Sequence, residues 1–137
     1  MSPSRRDSLN AIERYMTLFN RAGYDSAAFD QMIDLFAEDA IVDITGTPHS
    51  GRPALVLLFH RCCDNIASSH HNWTTEHLPD GTVKVVWAAA IRTQNDTVHA
   101  FAGVEYYRFN ENSLIQYLRN EPYGSLSPND PSRARVT

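Results

Sequence analysis

The 137-residue chain is predicted to form an α+β fold in which three N-terminal helices close over a curved antiparallel sheet and leave an enclosed pocket. Two observations lead there. As far as residue 66 the apolar residues recur at intervals of three and four, the period of an amphipathic helix; after Ser69 they recur at intervals of two, the period of a strand. Helices gathered on one side of the sequence and strands on the other imply an α+β arrangement rather than a parallel α/β one.

Leu9, Ile12, Met16 and Phe19 mark the first helix. Asp7 or Ser8 can cap its start, and Gly23 stands just past its end. Phe29, Met32, Ile33 and Phe36 mark the second, with Asp25 or Ser26 as cap. A short β-like run from Ala40 to Ile44 follows, then a breaker-rich loop holding Gly46, Pro48 and Gly51. Pro53 suits the first turn of a third helix, whose stripe is Leu55, Leu58, Phe59, Cys62 and Ile66. Four strands are then expected over 71–78, 82–92, 97–109 and 113–119. The polar turns Pro79-Asp80-Gly81, Gln94-Asn95-Asp96 and Asn110-Glu111-Asn112 join them. Residues 1–123 read as one domain and 124–137 as a loosely ordered tail.

A chain of this length buries about two-thirds of its unfolded surface and needs no staples. Its formal net charge is -4, and the arginines are scattered. Nucleic acid is therefore not an expected partner, because phosphate binding requires concentrated positive charge. No segment approaches the ~18 apolar residues of a membrane span. The opening residues precede no run of signal-peptide length, and Cys62 and Cys63 are adjacent, which disfavours a loop-closing disulfide. A reducing, cytoplasmic setting is expected. His60, Cys62 and Cys63 do not share a helix face and match no zinc spacing, so Cys62 reads as a buried thiol and no metal is predicted.

Three strings carry a resemblance to a known family: Phe36-Ala37-Glu38-Asp39-Ala40, Gly51-Arg52-Pro53-Ala54 and Glu105-Tyr106-Tyr107-Arg108-Phe109. In order and spacing they resemble the SnoaL-like group of the nuclear transport factor 2-like superfamily, over roughly residues 7 to 123. The resemblance implies a cone-shaped, cystatin-like fold whose sheet wraps a cavity. It does not select a reaction, since that family includes isomerases, dehydratases, cyclases, epoxide hydrolases and silent binders.

Strand alternation places His99, Phe101, Gly103, Glu105, Tyr107 and Phe109 on one face. A carboxylate in so aromatic a row is costly to bury unless paired or protonated. Glu105 is thus either an ion-pair partner, for which Arg119 is the candidate, or a functional acid. The resemblance aligns Glu105 with the protonated acid of ketosteroid isomerase-like proteins and Tyr15 with their partner tyrosine. Tyr15 can equally be read as packing beside Met16 and Phe19. Where those proteins keep a base Asp, this chain has Ile44; the neighbouring Asp43 should face the other way. The resemblance places His71 near a pocket histidine of scytalone dehydratase-like members, a suitable replacement base. His70 should point outward, unless a one-residue slip exchanges the two. Tyr117, Arg119 and Glu121 share a face of the last strand. If it is the inner one, Arg119 meets Glu105.

The expected function is a cofactor-free isomerase, dehydratase or cyclase acting on a small hydrophobic oxygenated metabolite, with polyketides as one candidate class. Tyr15, His71 and Glu105 are its candidate catalytic residues. Phe19, Trp73, His99, Phe101, Tyr107, Tyr117 and Arg119 are its candidate substrate contacts. Epoxide hydrolysis is the alternative within the enzyme class; ligand binding without catalysis and a pure dimerisation module are the others. Both faces of Val83–Ile91 are apolar, which predicts that the outer face of the sheet is covered by a second copy in a homodimer.

Overall fold

The computed structural model describes residues 4–125. Helix α1 (Arg5–Ala22) begins at Ser4, whose side chain accepts the Asp7 N–H. Helix α2 (Ser26–Ile33) begins at Asp25, which accepts the Ala28 N–H in the same way. These side-chain acceptors satisfy donors that a helix leaves free in its first turn. Strands β1 (Phe36–Ile44) and β2 (Thr47–Ser50) form a hairpin, α3 (Arg52–Cys63) follows, and β3 (Ile66–His77), β4 (Val83–Thr93), β5 (Val98–Phe109) and β6 (Ile115–Ser125) complete the chain. Among the described residues no helix is long and apolar enough to cross a membrane.

Three helices against one sheet is the predicted class, but the sheet is mixed rather than antiparallel. Its strand order is β2-β1-β6-β5-β4-β3. The last strand lies between the first and the meander, and β1 runs parallel to β6. Period-two patterning gives no direction to a pairing between strands this far apart in sequence, so the pattern could not reveal it.

Element ends differ where one apolar residue fits both periods. Phe36 opens β1 instead of closing α2, and Ile66 opens β3 instead of closing α3. The breaker-rich loop contains β2, because Thr45 (φ 52°) and Gly46 (φ 88°) make a two-residue turn with both φ positive. Glycine is the residue that adopts such a conformation without strain, and this turn type suits a tight hairpin. Strand β6 continues past Arg119 through Pro122 to Ser125. Pro122 is accommodated at a register shift in the β5–β6 ladder, the setting in which a sheet tolerates a missing N–H. The rest of the expected tail, 126–137, lies outside the described residues.

The core lies between the helices and the concave face of the sheet. Ile12, Met16, Met32, Phe36, Val42, Leu55, Val83, Val85, Tyr107, Ile115 and Leu118 are almost wholly buried there. The helical stripe is turned slightly from the one expected: Leu9 is 37% exposed, whereas Tyr15 is buried. Arg52 ties the layers together, donating to Asp34 at 3.1 Å and to the Phe36 carbonyl at 2.8 Å. The start of α3 is thereby held to the α2–β1 junction.

Gly23 sets how closely α1 approaches the α3–β3 turn. A Cβ there would lie 2.6 Å from the Cys63 carbonyl oxygen and would also collide with that of Ile66. Backbone on both sides cannot give way cheaply. Gly23→Ala should therefore destabilise the fold by about 3 kcal/mol and lower the melting temperature by about 10 °C, measurable by thermal unfolding.

Candidate functional site

A partly open cavity of about 260 Å³ lies between α1, α3 and the concave sheet. Tyr15, Met16 and Phe19 enter it from α1 and Cys62 from α3. The sheet supplies Ile66, His71, Trp87, Ala89, Ile91, Phe101, Glu105, Asn120 and Pro122. A larger cleft of about 490 Å³ lies elsewhere, lined by Arg5, His77, Asp80, Arg108 and neighbours. Its charged residues are exposed to solvent, and Arg108 is neutralised by Asp80 at 3.0 Å. The smaller cavity is the candidate site because the buried Tyr15 and Glu105 and the partly buried His71 face a largely apolar chamber there.

Glu105 is 4% exposed and projects inward from β5, with Asn120 of β6 opposite it. Tyr107, two residues along and on the same face, donates its hydroxyl to Glu105 Oε1 at 2.8 Å. Burial pushes the Glu105 carboxyl up to about 7, and the Tyr107 hydrogen bond partly opposes that rise. The same burial raises the hydroxyls of Tyr15 and Tyr107 well above the ordinary tyrosine value, with the nearby Glu105 adding to it. Both phenols are therefore firmly protonated donors. Tyr15 stands among aromatic rings, edge-on to Phe19, Phe36, Phe59 and Tyr107 at 5.8 to 6.2 Å.

His71 occupies a second region of the cavity. It lies opposite Ala89, which lies opposite Phe101, four residues before Glu105. Four residues of strand span roughly 13 Å, and His71 stands two strands away from Glu105, so the two groups border the cavity at separate places. The imidazole is edge-on to Phe19 at 5.1 Å and tilted against Trp87 at 6.1 Å. Burial drives it down to about 4, and the like charge of His70 adds to the effect. His70 itself is exposed on the other face. His71 Nδ1 lies 2.6 Å from Asn20 Oδ1, which also accepts the Ser69 hydroxyl at 3.0 Å. Between the two regions Trp87 donates Nε1–H to Asn120 Oδ1 at 3.2 Å.

The structure thus brings Tyr15, Phe19, His71, Phe101 and Glu105 together around one cavity. Tyr107 stands behind Glu105 as its donor. Trp73 is partly buried and packs against the core, paired with Trp87 across the β3–β4 ladder, while His99 is partly buried and stacks on Phe101.

Tyr117 and Arg119 are corrections. Glu105 pairs with Asn120, and Tyr106 with Arg119, so Arg119 shares the convex face with Tyr106. There its guanidinium lies 4.4 Å from the Tyr106 ring centroid and its Nε is 3.2 Å from Glu121. It is not the partner of Glu105. The register shift between Arg108 and Phe109 is the physical reason. Ile115 and Leu118 are both buried despite an odd spacing, so parity counted from Ile115 assigns Tyr117 and Arg119 to the wrong side. Cys62 is also corrected: it is exposed at the cavity, and its neighbour Cys63 is the buried thiol. Asp43 faces away from the cavity and accepts the Gly46 N–H at 2.7 Å.

Asn20, Trp87 and Asn120 were missed by sequence reasoning. Trp87 lies in a strand that is apolar on both faces, so the pattern does not say which row turns inward. Asn20 and Asn120 carried no signal either, because each is polar and acquires meaning only from a partner on another element.

The two perturbed groups leave opposite marks on stability. Folded protein retains the Glu105 proton to about pH 7, whereas an unperturbed carboxyl releases it near 4.5; stability therefore falls as pH rises through that interval. An unperturbed His71 is protonated below 6.5, but the folded protein resists protonation down to about 4; stability therefore falls as pH drops through that interval. Each contribution is at most on the order of 3 kcal/mol, and the slopes oppose one another between pH 4.5 and 6.5. Glu105→Gln should leave a melting temperature that rises with pH from 4 to 6.5. His71→Asn should leave one that falls from 4.5 to 7. Thermal unfolding across a pH series checks both.

Residues 4–114 match the SnoaL-like domain family. Comparison with curated proteins finds no sequence match. Among solved structures the chain is similar to an NTF2-like protein of unknown function from Exiguobacterium sp. 255-15, with 25% identity, a TM-score of 0.71 and coverage of 82% of this chain and 97% of that one. It is similar in fold to SalBIII, an epoxide hydrolase/cyclase-like enzyme of pyran ring formation in the polyether salinomycin, at 19% identity, TM-score 0.73 and coverage of 87% and 92%. The Δ5-3-ketosteroid isomerase of Mycobacterium sp. shares 19% identity, TM-score 0.69 and coverage of 88% and 93%. With the helices, the mixed sheet and the match over residues 4–114 in agreement, the chain belongs to the SnoaL-like family.

Proposed function

We propose that the protein is an acid/base enzyme acting on a small, neutral, hydrophobic molecule bearing a carbonyl or ether-forming oxygen. One observation carries this reading: the buried Glu105 and the partly buried His71, displaced in opposite directions to about 7 and about 4, border the same cavity. Between those values the acid holds its proton and the base is free, the pairing that proton transfer needs. Among the described residues no lysine or arginine lines the cavity, so an anionic substrate would find no counter-charge among them and would face Glu105.

In this scheme His71 Nε2 removes a proton from carbon next to a carbonyl, and the C–H electron pair moves into the enolate. Neutral Glu105 and the Tyr15 hydroxyl donate to the oxygen on which negative charge develops. The imidazolium then returns its proton, to a different carbon for isomerisation or to a departing hydroxyl for dehydration. Every step uses side chains of this chain alone.

Cyclisation is a second reading, favoured by the structural similarity to SalBIII. There Glu105 would protonate an epoxide oxygen as the C–O bond opens. His71 would take the proton of an internal hydroxyl as that oxygen attacks. Hydrolysis by a carboxylate–arginine array is not favoured, because Arg119 lies on the opposite face of the sheet.

His71→Ala and Glu105→Gln should each reduce turnover at least ~100-fold. The assay would follow deuterium exchange next to the carbonyl of candidate ketones and ring closure of hydroxy-epoxides. Label from ¹⁸O-water should enter neither product; its incorporation would indicate hydrolysis. For the intact enzyme kcat/KM should rise through about pH 4, as His71 becomes neutral, and fall through about pH 7, as Glu105 ionises. Ligand-dependent stabilisation without any chemical change would instead favour a binding module.

The convex face supports a homodimer as part of the same proposal. Val86 and Val98 are 45% and 57% exposed there, beside Ala88, Ala90, Ala100 and Ala102 on the paired strands. A double substitution, Val86→Glu with Val98→Glu, should halve the mass seen in sedimentation while leaving the melting transition cooperative. An unchanged mass would exclude this face as the interface.

A further inference from the structure

We propose that Asn20 is a positioning residue that sets His71 as a base rather than an acid, by holding the imidazole proton on Nδ1 and turning the Nε2 lone pair to the cavity. This rests on the proposed role of His71. It adds a residue of α1 that neither the family strings nor the strand pattern pointed to.

The geometry is a three-member chain. Asn20 Oδ1 lies 2.6 Å from His71 Nδ1 and 3.0 Å from the Ser69 hydroxyl. Ser69 is 3% exposed, on the same face of β3 and two residues before His71. A carbonyl oxygen has two lone pairs and no proton. As the amide is oriented, both Ser69 and His71 therefore donate to it. A neutral imidazole carries one proton; with that proton on Nδ1, the other nitrogen is an acceptor. Ser69 occupies the second lone pair, which fixes the amide through two partners on one strand.

The choice of an amide rather than a carboxylate matters as much as the position. Asn20 orients the ring without supplying negative charge, so it does nothing to favour imidazolium. The titratable groups near His71 do little to alter that. His70 adjoins it on β3, and Tyr15 of α1, Cys62 of α3 and Glu105 of β5 border the same cavity. Phe19, Trp87 and Ala89 supply the apolar remainder. An aspartate at position 20 would keep the shape and the acceptor but add a charge in contact with the ring. That would make the imidazole markedly easier to protonate and so a less exclusive base.

The test reads His71 directly by ¹⁵N NMR of the ligand-free protein, so it does not depend on finding the substrate. Intact protein at pH 7 should show Nδ1 as the protonated nitrogen and Nε2 as the bare one. Asn20→Asp should raise the His71 titration midpoint by about 1–3 units and move the acidic limb of any kcat/KM profile upward by the same amount. Asn20→Ala should leave the midpoint low but mix the two tautomers. An Nε2–H tautomer in intact protein, or an unmoved midpoint in folded Asn20→Asp, would overturn the proposal. Loss of activity in His71→Ala would still stand in that case, whereas full activity of His71→Ala together with the expected tautomer would sink the catalytic reading alone. Should Asn20→Asp fail to fold, the tautomer spectrum of the intact protein decides the matter without it.

Discussion

The pairing of β6 between β1 and β5 is the constraint on which the other features depend. Through its parallel contact with β1 it joins the first strand of the chain to the meander, and through its antiparallel contact with β5 it closes the ladder around the concave face. Leu118 is buried at the centre of this junction. Next on the inward face, Asn120 meets Glu105 across the β5–β6 ladder and accepts from Trp87 of β4. A single strand thus settles both where the sheet closes and which polar groups face the cavity.

Burial is the force that gives the cavity its chemistry. Taking a carboxyl out of water favours its neutral form, and taking an imidazole out of water does the same. The same physical cause therefore pushes Glu105 and His71 in opposite directions on the pH scale. Neither displacement needs a neighbouring charge of opposite sign. An ion pair between Glu105 and Arg119 would have cancelled the effect by stabilising the carboxylate. The register shift that sends Arg119 to the convex face therefore removes a charge that would have pulled the Glu105 carboxyl back down.

The strings that carried the family resemblance have recognisable physical work in the structure. Arg52, in Gly51-Arg52-Pro53-Ala54, hydrogen-bonds the carbonyl of Phe36, the first residue of Phe36-Ala37-Glu38-Asp39-Ala40. Two of the three strings are thus one contact seen from both ends. The third, Glu105 to Phe109, places the acid and its tyrosine donor on one face of β5.

The order of helices and strands, the inward row from His99 to Phe109 and the inward Glu105 were legible in the sequence, because periodicity is a local property repeated over many residues. His71 as a pocket residue came from the resemblance, and its outward neighbour His70 from alternation. Three things were decided only by the tertiary structure. The parallel β1–β6 pairing joins segments some seventy residues apart, and no local pattern records it. The face of Arg119 depends on a single shift in the β5–β6 ladder, and one unpaired residue reverses every side chain beyond it. The partnership of Asn20 with His71 links a helix to a strand fifty-one positions away. An asparagine on a helix is unremarkable until folding brings an imidazole to its carbonyl oxygen.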